Sequence, residues 1–147
     1  MKIFSAVLGT AFFVLATSSH AASTDAQRKP FTGTDISGVY ACVGNDAHDG
    51  DFTSTMTLSL DKKYSSAKFG SFKVKVEAGP VTYTGSIVSN GTQLAMDFAN
   101  TDLSKNDFGV ALATLSSPAK GKFEIKKFYY QPQYMGGSNG FEKCTLK

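Results

Sequence analysis

The densest chemistry in this 147-residue chain is Asn45-Asp46-Ala47-His48-Asp49-Gly50-Asp51, where three carboxylates and a histidine stand within one short run. Such a cluster could hold a hard cation such as calcium. Aligned on Gly50 as the sixth position, an EF-hand loop needs a ligand at Ala47 and a glutamate at Met56, and neither position supplies one. Asp49-Gly50 is also a hairpin-turn signal, and acidic turn residues need no metal to be there. The expectation is a turn with no metal or cofactor; a non-EF cation site at Asp46, Asp49 and Asp51 stays open.

Gly136-Gly137-Ser138-Asn139-Gly140 spells the G-x-S-x-G of a hydrolase nucleophile elbow. That motif works only where a strand-to-helix turn exposes the serine beside a histidine base. No helical pattern follows it here, and beyond residue 21 the chain holds a single histidine, His48. Lys120, Lys122, Lys126 and Lys127 beside Phe128, Tyr129 and Tyr130 combine cations with stacking rings, as a single-strand nucleic-acid surface would. Strand alternation explains the same letters as a solvated face next to core aromatics. Asp97 and Asp102 are an unmarked carboxylate pair. With no acid, base or nucleophile set against a partner, the expectation is a protein that is not an enzyme.

The elements that must position these residues are strands. Phe52, Met56, Leu58 and Leu60 alternate with Thr53, Thr55, Thr57 and Ser59. Phe72, Val74 and Val76 alternate with Ser71, Lys73, Lys75 and Glu77, and Val81, Tyr83 and Ile87 form a third apolar row. Asn90-Gly91 predicts a type I′ hairpin turn into Leu94, Met96 and Phe98. Further strands are read at Phe108 to Leu115, Lys122 to Tyr130 and Gly140 to Leu146, with an opening strand at Val39 to Val43. A short helical turn fits only between Asn100 and Asp107.

Lys2, the apolar run Ile3 to Ala16 and Ser19-His20-Ala21 predict an export signal over residues 1–21. Residues 22–36 are polar and aperiodic and read as a flexible leader, leaving 37–147 as one domain. Removing Lys2 with the signal leaves 14 basic against 12 acidic side chains, too mild a balance to demand nucleic acid. Export places the protein in the periplasm or outside the cell. There its two cysteines, Cys42 and Cys144, pair as a disulfide rather than hold zinc, which wants four ligands.

Eight consecutive strands with hairpin-length links predict an all-β fold, an eight-stranded antiparallel up-and-down barrel. The bridge joins its first and last strands, and a two-sheet sandwich is the alternative. Several strands read as too short for an outer-membrane barrel, so no stable membrane insertion is expected. Gly38-Val39-Tyr40, the strand count and the length resemble the calycin group, the lipocalin- and avidin-type barrels. Tyr40-Ala41-Cys42-Val43-Gly44 resembles the opening of small periplasmic lysozyme inhibitors, and more generally the chain is similar to small secreted bacterial proteins.

The calycin resemblance implies a monomeric carrier holding a small apolar molecule. The inward residues expected to line it are Met56, Leu58, Phe72, Val74, Tyr83, Leu94, Met96, Phe98, Phe108 and Tyr129. The alternative is an inhibitor or interaction module that meets a secreted protein through the Asp46–Asp51 and Gly136–Gly140 loops.

Overall fold

The computed structural model describes residues 28–147. The export-signal reading of residues 1–21 lies outside them. Eight strands follow in order: β1 (Gly38–Asp46), β2 (Gly50–Leu60), β3 (Phe69–Ala78), β4 (Val81–Asn90), β5 (Gln93–Asn100), β6 (Phe108–Ala119), β7 (Lys122–Gln131) and β8 (Ser138–Leu146). Each pairs antiparallel with the next, and β8 returns to pair with β1, which closes the barrel. Every strand is thus paired on both sides, which excludes the sandwich. One 3-10 turn, Leu103–Lys105, sits in the β5–β6 connection where the sequence allows a helical turn.

Cys42 and Cys144 are directly opposite each other across the β1–β8 seam, and their disulfide staples the first strand to the last. Both are interior. The β4–β5 hairpin forms as expected but one residue further along. Asn90 pairs with Gln93, leaving Gly91 and Thr92 at the tip. Of these only Gly91 takes positive φ (62°), the pattern of a II′ turn. A type I′ turn centred on Asn90-Gly91 would have taken Asn90 out of the ladder.

Side chains fill only half of the interior. Toward the end bearing the β2–β3, β4–β5 and β6–β7 connections, Tyr40, Met56, Leu58, Phe72, Ile87, Leu94 and Ile125 are all buried in one cluster. Burying each large apolar side chain contributes about 1.5–3 kcal/mol. The Tyr40 hydroxyl donates to the Ile36 carbonyl at 2.8 Å, and burial, with the nearby Asp35 carboxylate, pushes its pKa up to about 12.

The described part of the leader corrects the expectation of a flexible segment over 22–36. Phe31 bridges to Ala67, Thr32 N–H donates to the Ala67 carbonyl at 2.7 Å, and Ile36 is fully buried. Phe31 and Ile36 therefore plug the packed end. Polarity counted over the whole segment hid these two apolar anchors.

The strands run from 8 to 12 residues, and all except β5 reach the length of about nine that a tilted spanning strand needs, so strand length corrects the expectation that several are too short. Among the described residues no helix is long and apolar enough to cross a membrane. The outer face of β3 carries exposed Lys73, Lys75 and Glu77, which a lipid-facing strand does not tolerate. Outer charge, not strand length, is the physical argument against a spanning barrel.

Candidate functional site

At the opposite end the barrel opens into a cup of about 570 Å3, within the range of pockets that hold small molecules. Its wall is aromatic because the neighbouring inward positions are glycine. Phe52 lies over Gly44, its partner across β1–β2, and a Cβ built on Gly44 would stand 2.6 Å from the Phe52 ring. Phe98 likewise covers Gly109, its partner on β6, at 2.5 Å. Tyr129 covers Gly140 on β8 in the same way. The rings meet edge to face in a continuous line: Phe52–Tyr129 at 6.5 Å, Tyr129–Phe98 at 6.1 Å and Phe98–Tyr83 at 5.6 Å between centroids.

Polar groups are set into this wall at three places. Halfway down, Lys127 Nζ meets Glu142 Oε2 at 2.5 Å with both side chains almost wholly buried, and the Ser54 hydroxyl donates to the other Glu142 oxygen. At one side of the mouth the Asp46 carboxylate accepts from Tyr129 Oη at 2.7 Å, Ser138 Oγ at 2.7 Å and His48 N–H at 2.8 Å. Across the mouth Asp107 accepts from Tyr83 Oη at 2.8 Å and Gln131 Nε2 at 2.7 Å.

Burial by itself would raise the Asp46 pKa. The hydrogen bonds from His48, Ser138, Tyr129 and Asp49 outweigh it and hold the carboxyl below its ordinary value. Tyr83 and Tyr129 are shifted far upward, first by burial and then by the carboxylates they donate to, so both stay protonated. Every fully buried side-chain nitrogen and oxygen among the described residues has a hydrogen-bond partner. The cup therefore presents shape, aromatic rings and carboxylates held in fixed hydrogen bonds.

Of the ten residues expected to face a ligand, Tyr83, Met96, Phe98 and Tyr129 line the cup. Met56, Leu58, Phe72, Val74 and Leu94 face inward but belong to the core cluster and do not line it. Phe108 is a correction: it is 42% exposed on the outer wall. The inward positions of β6 are Gly109, Ala111, Ala113 and Leu115, with Phe98 occupying the space over Gly109.

The other sequence motifs are accounted for individually. Ser138 of G-x-S-x-G is fully buried, starts a strand rather than a helix and donates to Asp46. Asp46, Asp49 and Asp51 turn to three different partners, Asp49 accepting from Tyr134 Oη and Asp51 from Asn45 Nδ2, so they do not form one ligand set. Asp97 faces outward from β5, whereas Asp102 caps the 3-10 turn by accepting from Ser104. In the lysine-rich stretch Lys126 stays outside, paired with Glu124, but Lys127 enters the barrel.

Part of the outer wall of β6–β8 is apolar. Val110, Leu112 and Phe141 are 60%, 70% and 66% exposed, and Phe128 packs on Phe141 with ring centroids 5.2 Å apart. Contiguous exposed apolar surface of this kind is unusual on a soluble monomer. Comparison with protein-family models, with curated proteins and with solved structures returns no match.

Proposed function

We propose that this is an exported binding protein that takes a small, mainly apolar molecule into the open half of its barrel and does not transform it. The observation that carries this reading is the cup itself. Its walls are aromatic and aliphatic, and a few fixed polar groups converge on it, the usual make-up of a small-molecule site. The packed half and the disulfide supply rigidity that a preformed site needs. Protonated tyrosines and internally satisfied carboxylates support binding without catalysis, since no group is poised to take or give a proton. The disulfide is at home in an oxidising compartment, which supports export to the periplasm or beyond.

Native mass spectrometry of the protein purified from its own host tests the reading. A retained small molecule supports it. A bare mass together with a stable complex with a secreted protein favours instead a module that acts through its loops.

A further inference from the structure

We infer that the cup selects organic cations of quaternary-ammonium type that carry an apolar tail. This rests on the cup being the binding site and names the chemical class it takes.

Three observations converge. The first is charge. The whole chain is positive, with a formal charge of +3, yet the cup is lined by four carboxylates and only two ammonium groups. One of those ammonium groups, on Lys127, is neutralised by Glu142 at 2.5 Å. Asp46 and Asp107 have no such cationic partner; their hydrogen bonds come from neutral hydroxyl, amide and backbone groups. The negative potential is therefore local to the mouth and works against the charge of the molecule around it.

The second is the wall. Phe52, Tyr129, Phe98 and Tyr83 form one unbroken line of rings, and a cation is attracted to ring faces by their quadrupole. Tyr129 and Tyr83 donate their hydroxyls to Asp46 and Asp107, which keeps electron density on the two rings nearest the carboxylates.

The third is that the buried acceptors are already in use. The Asp46 carboxylate accepts four hydrogen bonds, including a long one from Asp49 N–H at 3.3 Å. A primary amine placed at Asp46 would compete with these bonds to satisfy its own donors. A quaternary ammonium has no N–H to satisfy and needs only negative potential and rings, both of which the cup presents. Its tail would lie against Val76, Val81 and Met96. An anionic ligand is disfavoured by the same charge balance.

The test is isothermal titration of the purified protein with three probes of one skeleton: 4-phenylbutyltrimethylammonium, 4-phenylbutanol and 5-phenylvalerate. The cation is expected to bind on the order of tenfold or more tightly than the alcohol, and the carboxylate most weakly. Asp107→Asn should reduce cation binding several-fold and leave the alcohol unchanged. Asp49→Asn, at the exposed rim, gives the same readout if the buried substitution impairs folding. Equal binding of the cation and the alcohol, or preference for the carboxylate, overturns the cation assignment while leaving the cup as a site. Failure of all three probes to bind overturns both.

Discussion

Lys127 and Glu142 face each other inside the barrel across β7 and β8, while Phe128 and Phe141, the adjacent cross-strand pair, pack together outside it. This seam is inverted relative to the rest of the wall, with ions inward and rings outward. An ion pair so deeply buried is expected to be strongly coupled. Lys127→Met should cost about 3–5 kcal/mol, because it leaves the Glu142 carboxylate buried without its counter-charge. Adding Glu142→Leu should recover most of that loss. Urea unfolding of the two variants decides it; a double variant no more stable than the single one would show that the pair is not coupled.

The inward and outward assignments make a second contrast. Phe72→Ala should lose about 3–5 kcal/mol, since the ring is buried in the packed half. Phe108→Ser should stay within about 0.5 kcal/mol of the parent, because that ring lies on the outer wall. Thermal melts of both variants read the difference, and a large loss from Phe108→Ser would place that ring in the core.

Removing the Cys42–Cys144 bridge should cost about 2–5 kcal/mol, since it closes a loop of 102 residues. The unfolded, non-reduced protein should show no free thiol to Ellman's reagent. Two titratable thiols would contradict the stapled seam.

Asp46 sets an acid limit on stability. Its folded-state pKa lies below its unfolded value of about 3.9. The unfolded chain therefore takes up the proton first. The stabilisation is complete above that value and is lost as pH falls through it toward the folded value. Melting temperature should fall as pH drops below about 4, and Asp46→Asn should flatten that fall. An unchanged pH profile in the variant would mean that the carboxylate contributes nothing through its protonation.

The strand pattern was legible because the period-two rows are long and the glycine and asparagine turns are sharp. The cup was less so. Phe72 and Leu58 look the same in the sequence as Phe98 and Met96, and only the plug formed by Phe31 and Ile36 shows which end of the barrel is filled. Phe108 misleads because a large ring on an alternating strand reads as core, whereas the small residues Gly109 and Ala111 are the inward ones. Lys127 and Glu142 did leave a signal. Glu142 shares its face with Cys144, whose bridge fixes it inward, and Lys127 shares its face with Ile125 and Tyr129. Two opposite charges forced inward on neighbouring strands imply a buried pair. Asp107 left no comparable trace, being a loop residue whose partners are brought to it only when the barrel closes.

The central claim, that the open half of the barrel is the binding site, is tested most directly by intermolecular nuclear Overhauser effects between 4-phenylbutanol and the assigned protein. Contacts are expected from the probe to the Val76 and Val81 methyls and to the Phe98 and Tyr129 rings, saturating with the probe. Contacts to the Val110 and Leu112 methyls of the outer wall instead, or none at all, would contradict it.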